Sequence, residues 1–185
     1  MKTWIAILKK WLPLAIVTVG TCGLVYLAAQ QMLRTGANDP QIQLAEDTAR
    51  ALDSGAAAET LVPAQKVELT ASLAPFLMIF DGTGNVVASS AALRGANPAL
   101  PAGVLEYVRQ NGEDRVTWQP ESGVRLAAVI VKAQNGFVLA GRSLRETEKR
   151  EGQMELLSFA ALLGIWAVTL VVIALGEWTG NKPAA

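Results

Sequence analysis

The 185-residue sequence contains no histidine. That absence removes His-based catalytic triads, imidazole metal ligands and a phospho-accepting histidine. The single cysteine, Cys22, sits inside an apolar run, so the rest of the chain has no disulfide to rely on. Charge is scarce as well. Charged residues are 17% of the chain, against about 25% in an average soluble domain. Also missing are a Gly-Lys-Ser/Thr phosphate loop, a dinucleotide fingerprint and a nucleophile elbow. The acidic pairs Glu46-Asp47 and Glu113-Asp114 are adjacent in sequence, so each pair diverges and neither makes a converging acid–base site. No enzymatic activity and no cofactor is expected.

Hydrophobic residues, by contrast, make up 51% of the chain, and mean hydropathy is +0.31. Two runs account for the excess. Residues 11–33 and 156–176 are uncharged stretches of 23 and 21 residues, and about 20 apolar residues cross a bilayer as a helix. The first is too long for a signal-peptide core of about 7–15 residues and lacks a small-x-small cleavage site. Two membrane spans are therefore expected, with lipid as the first partner. Lys2, Lys9 and Lys10 precede the first run, and basic flanks stay cytoplasmic. This places residues 1–10 inside the cell, 34–142 outside as a domain, 143–155 as a charged stalk and 177–185 back inside as a short tail. The location implied is the cell membrane, crossed twice. Trp4, Trp11 and Trp178 lie near the span ends, where interfacial aromatics belong.

Between the runs, residues 34–155 hold 12 of the 16 basic and 15 of the 16 acidic residues, a formal charge of −3. Nucleic acid needs clustered Lys and Arg, so it is excluded as a partner. Asp39 reads as an N-cap with Pro40 in the first helical position, opening a helix that Ser54-Gly55 closes. A linker runs to Pro63, followed by a helical turn or two over 67–73. Strands are predicted at 76–80, 86–89, 115–119, 124–131 and 137–141, with a short helix at 104–110. The order is helix, strand, strand, helix, strand, strand, strand, an α+β class. Asp81-Gly82-Thr83-Gly84-Asn85 starts like a calcium loop, but Val86 and Ala92 stand where Gly and Glu are needed. It therefore reads as a hairpin corner, with no metal site. Ser143-Leu144-Arg145-Glu146 has the spacing of a capping box. The charged helix it opens has only Gly152 as a weak point before residue 156, where a glycine costs about 1 kcal/mol against alanine.

The segment FLMIFDGTGNVVASS and the segment GVRLAAVIVKAQNGFVLAGRSLRETEKRE, with the preceding N-terminal helix, resemble the extracytoplasmic single Cache (PDC, PAS-like) sensor domains of bacterial membrane receptors. The resemblance covers roughly residues 40–155. It implies a PAS/Cache-like five-stranded antiparallel sheet, helices on one side of it, and a small-ligand pocket between them. Receptors of this kind continue past the second span into an output domain, whereas nine residues follow Gly176 here. The resemblance therefore implies signal transduction through a separate membrane protein.

Tyr107, Trp118, Arg125 and Arg142 are the candidate ligand-binding residues, because an Arg fork suits a carboxylate and an aromatic ring closes an apolar wall. Ser143, Glu146 and Gly152 are the candidates for relay along the stalk. Gly20 and Gly23 in the first run, with Ala160 and Gly164 in the second, form thin patches suited to helix packing. They suggest a homodimer or another membrane subunit as partner. Two functions stay open: a sensor that relays ligand or partner state, and a non-catalytic accessory subunit of a larger membrane complex.

Overall fold

The computed structural model describes residues 2–36 and 39–180. In chain order the elements are α1 (Lys2–Gly36), α2 (Asp39–Asp53), α3 (Ala58–Leu61), β1 (Val67–Glu68), β2 (Phe76–Asp81) and β3 (Val86–Ser89). Then follow β4 (Ala91–Ala92), α4 (Val104–Asn111), β5 (Glu113–Glu121), β6 (Val124–Ala133), β7 (Gly136–Ser143) and α5 (Arg145–Gly180). The chain divides into two compact units, residues 1–33 with 149–185, and residues 34–148.

In the central unit, five strands form one antiparallel sheet in the order β3-β2-β7-β6-β5. The expected α+β class and five-stranded antiparallel sheet are present. Both faces of the sheet are buried. Phe76, Met78 and Phe80 of β2 join Leu126 and Ile130 of β6, Leu139 of β7, Trp118 of β5 and Val108 of α4 in one core. Leu77, Ile79, Val129, Val131, Val138 and Ala140 pack the opposite face against Ala45 and Ala49 of α2. The helices therefore stand on both sides of the sheet, not on one side as the resemblance implies. This also explains why β6 shows no clean alternation: a strand buried on both faces is apolar at successive positions, whereas the edge strand β5 alternates.

Residues 67–73 differ from the helical turn expected of them. The amides of Val67 and Leu69 donate to the carbonyls of Ser90 and Ala92 at 2.7 and 2.8 Å, so β1 pairs in parallel with β4. Tertiary pairing overrides local preference here. The supposed linker before Pro63 holds α3, whose Ala58 and Leu61 pack at the margin of the α2-facing core. Asp39 opens α2 as expected, but its proposed capping side chain lies outside the described residues.

Within the helical unit, α1 and α5 pack on each other through a seam of larger side chains. The rings of Trp11 and Trp166 meet edge to face, 5.6 Å between centroids. Trp11 Nε1 donates to the Trp166 carbonyl at 3.2 Å and to Thr169 Oγ1 at 3.1 Å. Trp166 Nε1 donates in return to Thr18 Oγ1 at 3.0 Å. Lys10 and Glu177 pair at 2.5 Å. Trp11 thus packs against α5. The small-residue patches are not part of this seam. Gly20, Gly23, Ala160 and Gly164 are exposed, and a methyl group at any of the three glycines would meet open space. Both helices are long and apolar enough to cross a membrane.

One glycine in the sheet is set by its neighbour. Gly141 of β7 pairs with Phe76 of β2, and a Cβ there would lie 2.4 Å from Phe76 Cζ. Replacing Gly141 by Ala should cost about 1–3 kcal/mol through overpacking. Introducing Phe76→Leu as well should recover part of that loss. Thermal unfolding of the three variants by circular dichroism, read as a double-mutant cycle, measures the coupling.

Candidate functional site at the root of the exit helix

Strand β7 ends at Ser143, and α5 starts two residues later. The Arg145 amide donates to Ser143 Oγ at 3.3 Å. This caps the helix one position short of the Glu146 amide that a capping box would use. The Leu144 amide donates to the Arg125 carbonyl and the Glu148 amide to the Leu144 carbonyl, each at 2.9 Å. Two side chains fasten the first turn from either side. Arg145 donates to the Ala71 carbonyl at 2.7 Å and to that of Thr70 at 3.4 Å. Glu148 accepts from Arg125 on β6 at 2.5 Å. Farther on, α5 passes through Gly152 without interruption.

The turn that Arg145 holds is itself anchored. The amides of Ala71 and Ser72 donate to the Glu68 carbonyl, and the Glu68 carboxylate accepts from the Arg94 amide and the Thr70 hydroxyl, both at 3.1 Å. Arg94 in turn grips Glu121 with both arms of its guanidinium. The Arg94 amide, and then Thr70, hold the Glu68 carboxyl below its ordinary range, while the Arg94 side chain does the same to Glu121. A chain of exposed polar contacts thus runs from the β5–β6 turn to the start of α5.

The four ligand-binding candidates do not converge. Trp118 is 3% exposed and fills the α4-facing core, and Tyr107 projects from α4, half exposed. Arg125 and Arg142 lie on the opposite face, because Val124 and Leu126 point into the α4-facing core while Val138 and Ala140 point toward α2. A cleft of about 360 Å³ between residues 98–106 and the β2–β3 corner includes none of the four. Nor does one of about 230 Å³ bounded by Leu52, Ala58, Ile79 and Phe137. Of the relay candidates, Ser143 lies at the root of α5 and Glu146 in its first turn, whereas Gly152 lies two turns on.

The β2–β3 corner is a hairpin turn, as its sequence suggests. Asp81 Oδ1 accepts from the Thr83 hydroxyl at 2.6 Å and from the amides of Thr83 and Asn85 at 2.9 Å. Asn85 Nδ2 reaches Oδ2 at 3.2 Å. These donors, the Thr83 hydroxyl first, hold the Asp81 carboxyl down to about 2. Gly84 takes the positive φ of +95° that the corner needs. The Asp81 carboxylate is occupied by its own turn.

Sequence reasoning missed Arg145 and Glu148 as fasteners of the helix root. Their partners at residues 70–71 and 125 lie 74–75 and 23 positions away, beyond the reach of any local pattern. Compared with protein-family models, curated proteins and solved structures, the chain matches none.

Two measurements follow. Replacing Arg145 by Ala should raise hydrogen exchange about five- to tenfold at the amides of 71–73 and 144–148, the cost of one net hydrogen bond. Amides of β6 and β7 should be unaffected. For Asp81, the folded value lies below the ordinary 3.8. Its contribution is therefore complete above that pH and is lost as pH falls toward 2. Acid unfolding of Asp81→Asn, followed by fluorescence, should show a flatter limb across this window and lower stability at neutral pH.

Proposed function

We propose that the chain is a two-pass cell-membrane protein whose central domain lies outside the cytoplasm and acts as a Cache-like sensor or binding module. It relays the state of that domain through α5 to a separate membrane signalling protein. One observation carries this reading: β7, with strands on both edges and cores on both faces, leads at Ser143 into a 36-residue helix apolar enough to span a bilayer. A shift at that helix root need not break the sheet, because the root is tied by exposed polar contacts and the sheet by two dry cores.

The five-stranded antiparallel sheet and the Asp81 hairpin favour the Cache resemblance, and the helices on both faces count against it. The flanking lysines support the orientation, since three basic residues precede the first span. The intramolecular seam between α1 and α5 favours a paired hairpin of spans in each copy over a dimer built on the small-residue patches.

Purification in mild detergent after crosslinking in intact cells tests the relay. A membrane protein should copurify, and the yield of crosslink to α5 should change in Arg145→Ala. A stoichiometric complex indifferent to that substitution overturns the relay and favours an accessory subunit. Impermeant maleimide should label Thr83→Cys from outside in a Cys22→Ser background. Labelling only after lysis overturns the orientation.

A further inference from the structure

We propose that the outer edge of β3 docks an extended segment of a partner protein, apolar at its centre and basic at its flanks, which joins the sheet as an added strand. The inference rests on the binding-module reading and gives that module a kind of partner and a place.

β3 stands at one end of the sheet, so one of its edges carries no strand. The strand at the other end, β5, is guarded. Its exposed residues are Glu113, Arg115, Thr117 and Gln119, and charge on an edge discourages foreign pairing. β3 has neither charge nor proline. Its Val86 and Val87 are 36% and 45% exposed, the one adjacent pair of exposed large apolar side chains among the described residues of the central unit. A register shift opposite Phe80 re-aims the two. Val86 lines the cleft of about 360 Å³ on the α4-facing side, with Leu100 and Leu105. Val87 lines the cleft of about 230 Å³ on the α2-facing side, with Leu52 and Ala58. A third hollow, of about 310 Å³, is bounded by both valines and by Pro63. All three meet at this edge.

These hollows match the side chains of an added strand. Successive residues of a strand point to opposite faces. Two neighbouring apolar side chains therefore enter the α4-side and α2-side clefts while the main chain between them bonds to β3. Charge selects basic flanks. Asp53, Glu59 and Asp81 line the two hollows that Val87 shares, against one ammonium, that of Lys66. Lys66 is already engaged with the Ser89 carbonyl. Asp53 and Asp81 accept only from uncharged donors. Glu59 makes no hydrogen bond or ion pair with any described residue. A lysine or arginine at the end of the incoming segment supplies the cation that this rim lacks, and complementary charge fixes partner choice.

The test titrates the full chain in nanodiscs, by calorimetry, with the peptide acetyl-Lys-Thr-Val-Ile-Thr-Lys-amide. Saturable binding below millimolar concentration is expected, with slower hydrogen exchange at 86–89 in the complex. Methylating the Val and Ile amide nitrogens of the peptide, one on each of its edges, should weaken binding about tenfold or more, because a donor is lost and a methyl group meets β3. Glutamate in place of both peptide lysines should weaken it about fivefold or more, and Glu59→Gln about two- to fivefold. Val87→Lys, checked for folding by circular dichroism, should act as strongly as methylation. A methylated peptide that binds equally well, or binding indifferent to Val87→Lys, overturns the added strand. A glutamate peptide that binds as tightly as the lysine one overturns the basic partner. Absence of binding by the lysine peptide overturns the docking edge and leaves standing the relay, which crosslinking of Arg145→Ala tests. If the peptide binds as expected but does not alter the crosslink to α5, the relay fails and the docking edge stands.

Discussion

The fold depends on the position of β7. This strand pairs with β2 on one edge and β6 on the other, and its residues alternate between two cores. Both of its edges are paired from Gly136 to Gly141, and a register slip would exchange both cores at once. Gly141 tightens the constraint further, because the ring of Phe76 occupies the space where a side chain would be. The central strand of the sheet is thus the one that continues into α5. The side-chain ties of Arg145 and Glu148 decide how the first turn of α5 is held.

Much of this was legible in the residues. The order of strands and helices, the hairpin at Asp81 and the short helix after Gly103 all follow from turn chemistry and periodicity, which are local. The failures are where local rules lose to distant partners. Val67 and Leu69 look helical, yet their amides find the carbonyls of Ser90 and Ala92. In β6, the continuous apolar run obscured the strand's faces when read alone. It was itself the sign of a sheet covered on both sides.

The site was less legible for a related reason. Guanidinium geometry singles out Arg125 and Arg142, and the register of β6 against β7 brings them to one face. The aromatic character of Trp118 and Tyr107 suits a core as well as a pocket, and Trp118 lies in the core. The fasteners Arg145 and Glu148 belong to a stretch so rich in charge that nothing marks two members as special. Only their partners, the carbonyls at 70–71 and the Arg125 side chain, single them out.

The reciprocal indole contacts between α1 and α5 bear on the order in which the protein is made. Trp11 reaches its acceptors 155 and 158 residues later in the chain. If the two helices span the membrane, α1 emerges from the ribosome well before α5 exists. During that interval the indole N–H of Trp11, next to Lys10 at the end of the apolar run, is without the acceptors that α5 will bring. The central domain, lying between them in sequence, is complete and free to fold before α5 has been made.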